Sequence, residues 1–392
     1  METYLVGGAV RDQLLGLKSH DRDWLVLNET NESMKAKGYR SVGQDFEVFL
    51  DPKTKEEYAL PRGNQQTVVE DLSLRDLTIN AMAQNQQGHL IDPFNGQADL
   101  NQRLLRHVAG FSQDPIRILR LCRFVAQLAD FNFKIAPETR QLVREMVQQG
   151  TLTQLTPERV WQEIKKAMAC PRPRLFFEAL RECNALKVIL PEIEGLYGMP
   201  QPIAHHPEID TGLHCMMVLD QICQRTPNPR VRFAALCHDL GKATTPFDVL
   251  PSHFGHELRS GDIVRDLCQR LKAPKSWHDF AYLVAKYHTD CHRLSEAKPK
   301  TMARKFAEMG LFRKPEQLDD FIMCCEADSK GRTGLENRDY PQAIWFKQYF
   351  LAAAAVPTKD LAELKPSEIP NVLHRRRINA IREQKLMVNQ AK

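Results

Sequence analysis

The sequence predicts an α+β chain, in which a small N-terminal head of mixed sheet and helices is followed by a long all-α neck and body. Three observations carry this reading. Strand and helix signals alternate over residues 1 to 106 and then stop. Everything after that reads mainly as helix, with apolar residues at 3–4 spacing. The length of 392 residues suits two or three domains, each with a real core. Hydrophobic residues at 43% and charged residues at 26% are ordinary for a water-soluble globular chain. No apolar run approaches the roughly 20 residues of a membrane-spanning helix. The first strand begins almost at Met1, which leaves no room for a signal peptide. Ten cysteines are scattered without a C-x-x-C pair, and several, such as Cys122 and Cys237, sit inside apolar helical patterns. That pattern predicts reduced, buried thiols in a cytoplasmic protein.

The first element is the apolar run Tyr4-Leu5-Val6, read as a short buried strand, and Val10–Leu15 reads as the start of a helix. Gly7 and Gly8 occupy the turn between them, where glycine lets a ligand approach the backbone. Free N–H groups at the helix start and the planar fork of Arg11 suit a phosphate. His20–Leu27 reads as the next strand, and because side chains alternate, Asp21 and Asp23 point to one face. Two carboxylates beside a phosphate cradle make an Mg²⁺ site. A Gly-Gly turn or an Asp-x-Asp alone is commonly structural; their placement on adjacent elements favours nucleotide and metal binding. Glu57, on the strand-like "EEYAL", is a candidate third carboxylate.

The head ends at "GHLIDPFNGQADL", where Asp92-Pro93 and Asn95-Gly96 mark a turn. "DPIRILRLCRFVAQLA" then has amphipathic helical spacing with Pro115 in its first turn, and "TPERVWQEIKKAMA" opens on Thr156 as cap and Pro157 as first residue. Asp114, Arg117, Arg120 and Arg123 recur every three residues, a stripe that drifts about 60° per step around a helix. A carboxylate accepts from an exocyclic amino group and a guanidinium donates to a ring acceptor, so an Asp–Arg pair could read cytosine and adenine and refuse uracil and guanine. An intrahelical salt-bridge ladder is the alternative. Residues 365–392 carry seven basic residues against two acidic ones, an excess equal to the whole chain's net charge of +5, which predicts contact with nucleic acid or, alternatively, a solvated helix face.

Together, GGAVRD (7–12), DRD (21–23), LRDLTINAMA (74–83), DPFNG (92–96) and DPIRILRLCRF (114–124) resemble the bacterial class II tRNA nucleotidyltransferases, the CCA-adding enzymes of the DNA polymerase beta superfamily. The resemblance spans essentially the whole chain. It implies that Gly8 and Arg11 bind the incoming triphosphate and that Asp21 and Asp23 hold Mg²⁺. It also implies that Arg75, Arg120 and Arg123 contact the nucleotide, and that Asp114 and Arg117 serve as a protein template for C and A. Two positions depart from the family pattern: Gln113 stands where Glu is usual, and Leu74 where Arg is usual. The implied partners are tRNA, CTP and ATP, with no membrane, in a cytoplasmic monomer or homodimer.

A second constellation lies in the body. "FAALCHDLGK" places His238 and Asp239 side by side after an apolar helix, with His214 upstream and His253 and His256 downstream. Adjacent His and Asp can grip one metal ion from neighbouring directions. The arrangement looks like an HD phosphohydrolase, which implies a divalent transition metal, Ni²⁺ among the candidates, and phosphatase or 2′,3′-cyclic phosphodiesterase activity. In "YHTDCH" the family's Asp after the histidine is replaced by Thr289, with Asp290 one place later. The division that follows is a nucleotidyltransferase head at 1–106, a nucleotide-reading and RNA-binding neck at 107–200, an HD-like domain at 201–320 and a basic tRNA-binding tail at 321–392.

The expected function is construction of the tRNA 3′-terminal CCA without a nucleic-acid template. The family's flexible loop before the Arg-Asp motif is reduced here to twelve residues, Gly63 to Leu74, which predicts intact C addition and weak terminal A addition. A poly(A) polymerase shares the head, and a metal phosphohydrolase with an RNA-binding head is the rival from another class.

Overall fold

A computed structural model describes residues 1–18, 22–42, 48–62 and 65–390. The chain divides into two compact units, Met1–Thr156 with Leu175–Val188, and Pro157–Arg174 with Ile189–Lys392.

The first unit is built on a mixed sheet of β1 (Glu2–Val6), β2 (Asp23–Leu27), β3 (Arg40–Val42), β4 (Val48–Leu50), β5 (Glu57–Ala59), β6 (Ala83–Asn85) and β7 (Leu90–Ile91), in the order β3-β4-β5-β2-β1-β6-β7. Only the β2–β5 pairing is parallel. In β2, Leu25 and Leu27 face one side and pack with Val6, Val68 and Leu72, while Val26 faces the other with Met34 and Phe49. Burying each of these side chains contributes about 1.5–3 kcal/mol. A one-residue slip of β2 would turn Asp23 into the side occupied by Met34 and Phe49, so the apolar strand determines where the carboxylate goes. The strand expected from His20 is seen from Asp23; residues 19–21 lie outside the described ones.

The helix expected at Val10–Leu15 runs Gly8–Leu14, so Gly8 is its first residue and Gly7 alone makes the turn, at φ +71°. A second helix, Val68–Ser73, begins in a capping box, with Thr67 accepting from the Glu70 backbone and Glu70 from the Thr67 backbone. Asp92 of DPFNG receives the Gly96 and Gln97 N–H groups at 2.6 and 2.9 Å, capping the helix Gly96–Gln102. Two short strands, β8 (Leu104–Leu105) and β9 (Lys134–Ile135), pair in parallel across the point where the sequence reads as turning all-helical. The helix Ile116–Gln127 follows.

The second unit is helical among its described residues. Its helices include Pro157–Met168, Thr211–Cys223, Pro229–Leu236, His256–Arg270, Lys275–His292, Leu318–Lys330 and Ile369–Gln390. Pro157 stands at the first helical position, where its missing N–H costs nothing. Trp161, Phe233 and Trp277 meet edge to face at 5.0–5.7 Å and lock the first, third and fifth of these helices together. In the last helix, Arg377 stacks 3.5 Å over Phe312, Arg376 pairs with Asp360, and Lys385 donates to the Ser295 and Ala297 carbonyls. Part of the tail's positive charge therefore serves internal contacts. All ten cysteines are free thiols, and all but Cys223 are buried. Among the described residues no helix is long and apolar enough to cross a membrane.

Candidate active sites

In the first unit the sheet register assembles the acidic group. Val6 pairs with Asp23 and Asp23 with Glu57, so Asp23 stands between the strand that ends at the Gly7 turn and the strand that carries the third carboxylate. Registered neighbours point to one face, which puts the Asp23 and Glu57 side chains on the same side. Asp21 lies outside the described residues. Gly7 matters sterically as well as conformationally: a Cβ there would come 2.7 Å from Arg75 Nη1. The absent side chain brings the Arg75 guanidinium against the turn.

The five arginines read from the sequence are each held by partners. Arg11 is buried, with Nη1 donating to Asn80 Oδ1 and Nε to Asp12 Oδ1, both at 2.8 Å. Arg75 bonds Asp71 Oδ2 at 3.2 and 3.3 Å; burial and the nearby Arg62 charge lower its pKa to about 10 against the pull of Asp71. Arg120 bonds Asp76, and Arg123 Nη1 donates to Gln127 at 2.7 Å. Arg117 donates to the carbonyls of Arg75 at 2.9 Å, Leu74 at 2.7 Å, and Gly110. The guanidinium groups of Arg11, Arg120 and Arg123 all lie over the Phe124 ring, at 5.1, 5.8 and 4.6 Å.

The stripe differs from the sequence reading at its start. Asp114 is not on the helix but precedes it in extended conformation, and its carboxylate accepts from the Ile116 N–H at 3.2 Å. Pro115 crowds the backbone of the residue before it and disfavours helical dihedrals there, which keeps Asp114 extended and off the helix. Gly110 explains how Arg117 reaches its carbonyls, since a Cβ there would fall 2.7 Å from the Leu74 backbone.

In the second unit, His214, His238, Asp239 and Asp328 converge, although they come from the helix 211–223, the turn after 229–236, and the helix 318–330. His214 Nε2 lies 3.1 Å from Asp328 Oδ1 and 3.8 Å from Asp239 Oδ2; His238 Nε2 lies 3.1 Å from Asp239 Oδ2 and 3.7 Å from Asp328 Oδ1. His238 Nδ1 is anchored on the Ala235 carbonyl at 2.7 Å and His214 Nδ1 on the Gly331 carbonyl at 2.9 Å, which fixes both tautomers with Nε2 turned inward. His238 Nε2 is buried without a hydrogen-bond partner. An orphaned imidazole lone pair facing two carboxylates fits a divalent ion. Burial drives His238 toward its neutral, ligating form. Burial opposes ionisation of Asp239, but His238 and Lys242 outweigh it and hold the carboxyl well below its usual range.

His256 belongs to the same neighbourhood, 3.1 Å from Asp239 Oδ1. Two expected ligands do not join it. His253 bonds Thr245 at 2.7 Å and the Pro200 carbonyl at 3.0 Å, and Asp290, two residues past His288 and so on another face of the helix, pairs with Lys305 at 2.9 Å.

Comparison with known proteins adds the family. Residues 40–106 match a model described as "Poly A polymerase head domain", and residues 132–196 one described as "Probable RNA and SrmB- binding site of polymerase A". Over nearly full length, the chain is 49% identical to the multifunctional CCA protein of Thioalkalivibrio sulfidiphilus, covering 98% of this chain and 99% of that one. The chain belongs to the multifunctional CCA protein family. Other members of the family show the same extent of likeness, with 48% identity to that of Methylococcus capsulatus (97% and 95% covered) and 47% to that of Actinobacillus pleuropneumoniae (97% and 98%). The fold is that of the CCA-adding enzymes. The apo form I of one superposes with a TM-score of 0.66 at 20% identity, covering 100% of this chain and 90% of that one. The Bacillus stearothermophilus enzyme in complex with CTP gives 0.65 at 22% (99% and 93%).

As a member of the multifunctional CCA protein family, the chain is a CCA-adding tRNA nucleotidyltransferase. The family supports addition of the full CCA and so replaces the CC-only alternative drawn from the short segment 63–74. Residues 63 and 64 lie outside the described ones, and much of the rest is the capped helix Val68–Ser73. The family also replaces the poly(A) polymerase alternative and that of a metal phosphohydrolase whose head only binds RNA.

Several site residues had escaped sequence reading. Asp328, in "CCEADSK", carries no local signature, because its partners are brought to it by tertiary packing alone. His288 lies in "YHTDCH", where Asp290 is the nearby acidic residue that resembles a ligand by position. Asp71, Asp76 and Asn80, which hold the arginines, lie inside the quoted Arg-Asp motif or just before it.

Proposed function

We propose that the head adds CTP- and ATP-derived nucleotides to tRNA at an Mg²⁺ site held by Asp21 and Asp23, with Glu57 as third carboxylate. The observation that supports it is the register Val6–Asp23–Glu57, which sets two carboxylates on one face beside the Gly7 turn. In each step the tRNA 3′-oxygen forms a bond to the α-phosphorus, pyrophosphate leaves, and the hydroxyl proton is lost. Bound Mg²⁺ supplies charge neutralisation for attacking and leaving oxygens. Gly8 and Arg11 would border the triphosphate, with Arg75 against the same turn, and Arg120 and Arg123 would face other parts of the nucleotide. Asp114, outside the helix, would offer the acceptor for an amino group of C or A; Arg117 would set its position by holding the Leu74, Arg75 and Gly110 carbonyls.

The second unit reads as a phosphohydrolase on phosphate monoesters or 2′,3′-cyclic phosphates, with a divalent transition metal such as Ni²⁺ held by His214, His238, Asp239 and Asp328. Such an ion supplies Lewis acidity and acidifies water. The segments 1–106, 107–200, 201–320 and 321–392 would serve as head, neck, HD-like region and tRNA-binding tail. A cytoplasmic location goes with tRNA as substrate. The test is purified protein with tRNA lacking its 3′ end, given CTP and ATP separately and together. Addition of CC with CTP and CCA with both is expected, and no addition by wild-type protein would refute the reading.

A further inference from the structure

Phe124 is buried on the helix Ile116–Gln127, and three guanidinium groups gather on its ring. Two belong to the same helix: Arg120 stands one turn earlier and Arg123 is the adjacent residue, with Cζ atoms 5.8 and 4.6 Å from the ring centroid. The third crosses from the helix Gly8–Leu14, where Arg11 Cζ lies 5.1 Å from the same centroid. Arg11 and Arg123 are themselves buried, at 3% and 8% exposure.

Separate polar partners fix the edges of these groups. Arg11 donates to Asn80 and Asp12, Arg120 donates twice to Asp76, and Arg123 donates to Gln127. What the three share is the ring. Arg11 also borders the glycine turn, since a Cβ on Gly8 would stand 3.4 Å from its Nη2. One guanidinium is therefore within contact range of both the turn and the ring.

An aromatic ring suits that place. Its face attracts a cation through the ring quadrupole, and more strongly where water is excluded. It carries no charge, so it gathers arginines without neutralising them. A glutamate at 124 would gather them too, but its carboxylate would compete with a phosphate for the same donors. A leucine would fill the space and attract none of them.

We propose that Phe124 is a positioning residue for nucleotide addition: its ring holds Arg11 of the glycine turn together with Arg120 and Arg123, so that the three cations meet the triphosphate as one group. The proposal rests on the reading that these arginines bind the triphosphate. Phe124 acts through them, so weakening the ring's pull lowers affinity for the triphosphate and leaves the choice of base alone.

Fluorination of the ring separates this role from packing. In the full chain Phe124 is replaced by mono-, di- and trifluorophenylalanine, which keep the ring's shape while weakening its pull on a cation step by step. CTP addition to tRNA lacking its 3′ end is measured with each, alongside inhibition by pyrophosphate. The KM for CTP and the inhibition constant of pyrophosphate should rise together along the series, by about two- to tenfold at its end, while kcat and the ratio of CTP to UTP use change less. The same series in an Arg11→Gln chain should rise less steeply. A flat series, or one equally steep in the Arg11→Gln chain, overturns the proposal and leaves Phe124 to packing. Arg11→Gln, Arg120→Gln and Arg123→Gln, tested singly, should each weaken pyrophosphate inhibition. If none does, these arginines do not bind the triphosphate and both readings fall; if they do and the series is flat, only the role of Phe124 falls.

Discussion

Arg120 closes on Asp76 with two hydrogen bonds to a single carboxylate oxygen, Nε at 2.9 Å and Nη2 at 2.7 Å. Burial raises the Asp76 pKa, but Arg120, Asn80 and the Leu77 N–H outweigh it and bring it down from 3.8 to about 2. A depressed carboxyl stabilises the fold fully above its unfolded pKa and loses that contribution as pH falls through the folded value. Asp76→Asn should therefore lower the stability of the first unit by about 2 kcal/mol at pH 7. The gap between variant and wild type should narrow between pH 4 and pH 2, which denaturant titrations at several pH values would read. A gap independent of pH would mean that Asp76 acts through shape and not charge.

Arg117 and Asp114 should separate in experiment. Removing the Arg117 guanidinium leaves three partly buried carbonyls without their donor, at about 1–3 kcal/mol. Arg117→Ala should lower the melting temperature and slow addition of every nucleotide. Asp114→Ala loses one contact to the helix start and should leave melting within a few degrees while raising UTP incorporation relative to CTP. Unchanged selectivity in Asp114→Ala would assign that carboxylate to capping.

Asp23→Ala should lower nucleotide addition by at least a thousandfold and leave the thermal midpoint near that of the wild type, since Asp23 opens its strand exposed. Glu57→Gln should slow addition less. Both variants should hydrolyse a model phosphate ester at the wild-type rate, because the histidine cluster belongs to the other unit. Wild-type addition by Asp23→Ala would move the catalytic metal elsewhere.

Asp328→Asn should give the reverse pattern, with hydrolysis lost and CCA addition kept. The same outcome is expected when a chelator strips wild-type protein and Mg²⁺ alone is returned. Restored hydrolysis with Mg²⁺ would argue against a site that selects imidazole-loving metals.

The head was legible where chemistry coincides with short-range pattern. The apolar run of β2 announces the face of Asp23, and a Pro after a Thr marks the helix at 157. Legibility ended where a residue's role depends on a distant partner. Nothing near Asp328 indicates that it meets His214, and nothing in the arginine stripe indicates that Asp76 and three carbonyls already engage it. β9 has two residues, too few for an alternation to show. The one local sign that Asp114 lies off the helix is Pro115, which disfavours helical dihedrals in the residue before it.

The Asn80 amide joins two of these contacts into a directed chain: its oxygen accepts from Arg11 and its nitrogen donates to Asp76, which Arg120 holds from the other side. An amide has one oxygen and one nitrogen, so no other orientation serves both neighbours. Aspartate at 80 would satisfy Arg11 but confront Asp76 with a second negative charge; leucine would strand both. Each of the four side chains thus narrows what its neighbours can become, and a change at one is expected to cost least alongside a matching change at another. Positions 11, 76, 80 and 120, far apart in the chain, are thus coupled in what each can accept.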